Sequence, residues 1–98
     1  MRIITHPLFF DQLSKCQENI GKDLPGMLGK VSQLKNHFFV KGFESYFTCY
    51  RFKISVYRIF YTTIGTDLLL LGIVPRYKAY NEENFKQLEQ RFLDMVRP

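Results

Sequence analysis

The chain has 98 residues, which fits one small domain spanning 1–98. At this size only about 60–65% of the unfolded surface is buried, so the core must be rich in apolar groups; 46% of the residues are hydrophobic and ten are Phe. The net charge is +5, from 14 basic and 9 acidic residues, and it points to an anionic partner without specifying one.

No apolar run approaches the ~18 residues of a membrane helix, and "MRIITHPLFF" lacks the apolar stretch and small-residue cleavage site of a signal peptide. Cys16 and Cys49 have neither metal spacing nor the pattern of a disulfide framework, so a reduced cytoplasmic protein without cofactor or metal is the expectation.

"RIIT", Arg2 to Thr5, reads as a short first strand. Pro7 suits the first turn of a helix with Thr5 or His6 as its cap. Phe9, Leu13, Cys16 and Ile20 follow helical spacing, which predicts a first helix over 7–20 stopped by Gly21. Asp23 is a cap for a second helix, with Pro25 in its first turn and Leu24, Met27, Leu28, Val31 and Leu34 as its apolar stripe. The two form a helical hairpin.

From Phe43 to Val74 aromatic and β-branched residues dominate, which signals strands. "YRFKISVYRIFY", Tyr50 to Tyr61, divides into two strands around Ser55-Val56. This pairs Ile54 with Tyr57, Lys53 with Arg58, Phe52 with Ile59 and Arg51 with Phe60. The turn chemistry is poor, because Val disfavours positive φ. "IGTD", Ile64 to Asp67, is a second hairpin turn built on Gly65, and "LLLLGIV" is a central strand ended by Pro75. Asn81 caps a last helix with Glu82 and Glu83 near its positive end. Phe85, Leu88, Phe92, Met95 and Val96 form its apolar face. The expected fold is α+β. A helical hairpin and a C-terminal helix pack on a small, mainly antiparallel sheet of about four strands, in the order β-α-α-β-β-β-α.

The hairpin register has a chemical consequence. Side chains alternate faces along a strand, so Phe52, Ile54, Tyr57, Ile59 and Tyr61 line the face against the helices. Arg51, Lys53 and Arg58 share the other face, with Lys53 directly opposite Arg58. Opposed like charges destabilise a strand pair, and a bound anion would offset that; the alternative is a solvated face covered by Lys and Arg stems. In "IVPRYKAY", Pro75 ends the ladder and presents Arg76 at the strand end. Tyr77 and Tyr80 flank Lys78, and cations interleaved with aromatics suit RNA. Either tyrosine alternatively joins the core, Tyr77 more readily; Tyr80, beside the cap Asn81, is the freer.

The combination resembles the RelE/ParE family of type II toxins. That family carries a basic-apolar-basic strand, a turn, Tyr-Arg with an apolar strand, and a second apolar strand ending in His-Arg or Lys-Arg with a Tyr a few residues later. Arg51, Lys53, Tyr57, Arg58, Arg76 and Tyr80 fall on those positions. Ser55-Val56 departs from the usual turn pair, and Pro75 stands where many members carry His or another polar group.

The resemblance implies a metal-independent endoribonuclease that cleaves mRNA on the ribosome, inhibits translation and is held inactive in a hetero-oligomer with an acidic or amphipathic antitoxin. Lys53, Arg58, Arg76 and Tyr80 would form the catalytic set, and Arg51, Tyr77 and Lys78 would contact RNA. Arg58 and Arg76 would stabilise the charge of a phosphorane-like transition state. Lys53, crowded by Arg51 and Arg58, is the candidate general base. His6 and His37 fall outside this set. The alternatives within the same fold are a ParE-like inhibitor of DNA gyrase without nuclease activity and a degenerate, non-catalytic binding module.

Overall fold

The computed structural model describes residues 2–33 and 37–97. Its elements run β1 (Ile3–Thr5), α1 (Pro7–Ser14), α2 (Glu18–Ser32), β2 (Tyr50–Ile54), β3 (Tyr57–Ile64), β4 (Asp67–Pro75), α3 (Arg76–Ala79) and α4 (Glu82–Val96). The strands form one sheet in the order β1-β4-β3-β2. β1 lies parallel to β4, and the other pairs are antiparallel. This is the expected α+β architecture with one short helix added.

The hairpin register is the expected one, Lys53 opposite Arg58 and Ile54 opposite Tyr57. The turn succeeds because positive φ falls on Ser55 (56°) and not on Val56. That is the pattern of a II′ turn, whose first central residue alone needs it. The second hairpin places its positive φ on Gly65, at 58°.

The helices α1 and α2 cover one face of the sheet. Phe9, Ile20, Leu24 and Val31 pack there against Phe52, Ile54, Ile59 and Tyr61. The opposite face carries Phe60, Leu69, Leu71 and Val74 beneath Leu88 of α4 and Ala79 of α3.

Three expectations are corrected. The first helix ends at Ser14 rather than 20, and the second starts at Glu18 and runs through Gly21 and Asp23. The break falls where the backbone N–H of Gln17 donates to the Tyr57 hydroxyl at 3.2 Å, a tertiary bond no local pattern reveals. Pro25 is inside α2, and the residue four before it, whose carbonyl its ring approaches, is Gly21. Leu34 lies outside the described residues.

The second correction concerns residues 43–49, which are irregular rather than strand. Their aromatics pack on α4 instead: Phe47 stacks on Phe92 at 4.0 Å, and Phe43 meets Phe85 edge-on at 5.4 Å. Third, the outer sheet face is not bare. α4 and this aromatic segment roof much of it, and Arg58 is buried there, only 6% exposed.

Candidate functional site

The hairpin β2–β3 and the end of β4 meet beside α3. Arg58 points from β3 to the α4 side of the sheet, two residues from Phe60. Its Nη1 donates to the carbonyl of Tyr57 at 3.0 Å. Its Nε is buried without a hydrogen-bond partner, and no carboxylate among the described residues pairs with it.

Arg76 is the first residue of α3, with Pro75 as the N-cap. Its backbone N–H donates to Val56 at 2.8 Å, tying the strand end to the hairpin turn. A Pro at the strand end cannot donate to the ladder and carries a φ suited to a helix start. Arg76 and Arg58 therefore line one open cleft of about 510 Å³, together with Ser55, Val56, Pro75 and Tyr77.

The remaining expected site residues divide. Lys53 is exposed, opposite Arg58 on the ladder and on the same face, but it lines a different groove beside α2, with Lys22 and Lys30. Arg51 sits over the Phe38 ring, 5.4 Å from its centroid. Tyr80 is half-exposed and meets Phe60 edge-on at 6.1 Å, which holds its ring near the Arg58 face. Tyr77 is 79% exposed, which overturns its reading as a core residue. The Lys78 ammonium lies 5.7 Å from the Tyr77 ring centroid.

Both histidines have structural partners. His6 caps α1: the Leu8 N–H donates to its Nδ1 at 3.1 Å, which leaves the proton on Nε2 to donate to Asp94 at 3.0 Å. Bonds from Gln90 and His6 hold the Asp94 carboxyl below its usual range. His37 Nδ1 lies 2.7 Å from the Tyr61 hydroxyl, and burial pushes that phenol up to about 12. Among the described residues no three His, Cys, Asp or Glu side chains gather in a metal-binding arrangement.

A feature not expected from the sequence adjoins the arginine cleft. A cavity of about 470 Å³ opens at the end of β4, between α1 and the start of α4. Its lining includes Gln12, Lys15, Asn84 and Gln87, and it shares Pro75 and Tyr77 with the arginine cleft.

The architecture has close counterparts. The toxin RelE of Escherichia coli, as an arginine-to-alanine double mutant in the free state, superposes with a TM-score of 0.66 at 16% identity, covering 92% of this chain and 95% of that one. The fold is RelE-like. A second structure, the isolated E. coli RelE toxin, gives 0.58 at 16% identity over 93% of this chain and 97% of that one. A RelB-RelE antitoxin-toxin complex from Methanococcus jannaschii gives 0.61 at 18% identity over 79% and 94%. No protein-family model and no curated protein sequence matches the chain. What carries beyond the RelE-like fold is therefore the local chemistry of the two adjoining concavities.

Proposed function

We propose that this chain is the toxin of a type II toxin–antitoxin pair and that it cleaves mRNA on the ribosome. The supporting observation is Arg58. A buried guanidinium with an unpaired N–H and no counter-ion is costly, and such a group at the wall of an open cleft beside a second arginine suits a phosphate. The RelE-like fold, and the existence of a RelB-RelE complex with that fold, support the antitoxin half.

In this reading the scissile phosphate sits between Arg58 and Arg76. The ribose 2′-oxygen attacks phosphorus, the bond to the 5′-oxygen breaks, and the products are a 2′,3′-cyclic phosphate and a 5′-hydroxyl. Lys53 is the candidate acceptor of the 2′-hydroxyl proton. Arg76 neutralises the leaving oxygen, Arg58 stabilises charge on the phosphorane, and Tyr80 orients the ribose or stacks on a base. Arg51, Tyr77 and Lys78 hold the flanking strand.

Arg58→Ala and Arg76→Ala should each lose growth arrest, because removing one preorganised charge donor costs roughly 10²–10³ in rate. Induced cells should show mRNA cut within codons, with 5′-hydroxyl ends, alongside translation arrest. Full toxicity of both variants at equal expression would refute the assignment. Gyrase-linked double-strand breaks before any loss of translation would replace it with the ParE-like alternative.

A further inference from the structure

We propose that the 470 Å³ cavity beside the arginine cleft is a nucleobase subsite, receiving the base of a nucleotide that flanks the phosphate held by Arg58 and Arg76. The inference rests on the ribonuclease reading and deepens it. Four amides line the cavity, and the protein has already committed one half of three of them. Gln12 Oε1 accepts from the Ile73 N–H at 3.0 Å and from Arg91 Nη1 at 2.8 Å, so its NH₂ is left uncommitted. Asn81 Oδ1 accepts the Asn84 N–H at 2.8 Å, which frees a second NH₂. Asn84 Nδ2 donates to Ala79 at 2.7 Å, which leaves its Oδ1 as an acceptor.

These orientations are set by partners, so the donors and the acceptor cannot exchange places by flipping. A nucleobase is a ligand whose edge presents both donors and acceptors, and unpaired bases in RNA are read at such edges. Glu83 adds acceptor oxygens at the same lining, and Gln87 adds an amide free to adapt. A plain anion site would not place a carboxylate there. Lys15 and Lys78 line the cavity too and suit a backbone phosphate. The exposed Tyr77 ring and Pro75 belong to both concavities, so a strand leaving the arginine cleft crosses them to enter the cavity.

The test uses trinucleotides with 2′-deoxy sugars, which cannot be cleaved, carrying either three bases or an abasic residue at one flank. Inorganic phosphate is the control for the arginine cleft. With the unmodified protein, loss of the base at one particular flank should weaken binding about tenfold. Cys16 lines the cavity and is half-buried, whereas Cys49 is buried; burial raises both thiols, that of Cys49 to about 12. A bulky methanethiosulfonate should therefore label Cys16 and fill the site. The labelled protein should bind full and abasic trinucleotides alike and hold phosphate as before; Gln87→Trp should reproduce this without labelling. Equal binding of full and abasic probes by the unmodified protein, with phosphate still held, overturns the subsite and leaves the cleft reading intact. Failure of the unmodified protein to bind either phosphate or the trinucleotides overturns both.

Discussion

A buried arginine facing an opposed lysine is a position held against stability. Opposed cations on a ladder repel, and the unpaired Arg58 Nε adds desolvation that nothing in the described protein returns. Groups retained under that load usually serve a ligand. Arg58→Met, similar in length and apolar, should therefore stabilise the free protein by about 1–2 kcal/mol, since replacing buried charge by packed hydrophobic groups often gains this much. For a chain of this size that is a rise of roughly 4–16 °C in Tm, accompanied by loss of activity. A fall in Tm on thermal unfolding would mean that Arg58 is structurally satisfied and the anion argument fails. The pairing behind this was legible from alternation alone, because Phe52, Ile54, Tyr57 and Ile59 fix which side faces the helices. The burial of Arg58 was not legible. It depends on α4 and the aromatics of 43–49 folding over the sheet, and no spacing within β3 encodes a roof contributed from elsewhere. Tyr77 fails in the opposite sense: its apolar ring suggested core, but a helix of only four residues, capped by Pro75 and starting at Arg76, turns it outward.

At the level of elements, β1 is too short to pair the whole of β4. It reaches only Leu70, and the register shift between Phe60 and Tyr61 on the neighbouring strand places the following backbone groups at an open edge. Side chains close it. Gln12 of α1 accepts from the Ile73 N–H, and Arg91 of α4 donates to the Leu71 carbonyl at 2.9 Å. Gly72 makes room for them: a Cβ there would lie 3.0 Å from Arg91 Nη1 and 3.1 Å from both Gln12 Oε1 and Leu88 Cδ2. Gly72→Ala should destabilise by about 1–3 kcal/mol through crowding, and Gln12→Ala by about 1–3 kcal/mol through the donors left unpaired. The two should not add. Removing Gln12 relieves part of the clash, so the double variant should be more stable than the sum of the single effects by at least ~0.5 kcal/mol in denaturant unfolding. Strict additivity would show that the edge is closed by other means. No motif or spacing in the sequence singles out Gly72 or Gln12. Their roles appear only when α1, β4 and α4 converge, and the same convergence shapes the cavity beside them.

Across the whole molecule the positive charge is distributed around concave surfaces. Lys22, Lys30 and Lys53 line the groove beside α2, Arg58 and Arg76 the cleft, and Lys15 and Lys78 the adjoining cavity. Among the described residues the fully charged pair is Arg2 with Asp67, since His6 meets Asp94 as a neutral donor; none of these seven cations forms an ion pair, although Asp23 shares the groove and Glu83 the cavity. Large apolar rings are also exposed, with Phe10 at 58% and Phe38 and Phe39 at 62% each. An antitoxin that silences the proposed activity must meet both features. Carboxylates facing the cationic concavities would accelerate encounter, and apolar anchors on the exposed rings would set the lifetime of the complex. A disordered acidic segment that folds on binding can supply both along one wrap. The association rate with the proposed antitoxin should therefore fall at least tenfold between roughly 0.05 and 0.5 M salt, over which the screening length drops from above ~10 Å to below ~5 Å. The dissociation rate should change far less. A Lys22/Lys30/Lys53 triple Ala variant leaves the arginine cleft untouched, so it should lose part of the association rate and part of its salt slope while dissociating normally. A salt-insensitive association rate, or a triple variant that associates like the parent, would show that this charge recruits a different anion, of which ribosomal RNA is the one consistent with the proposed reaction.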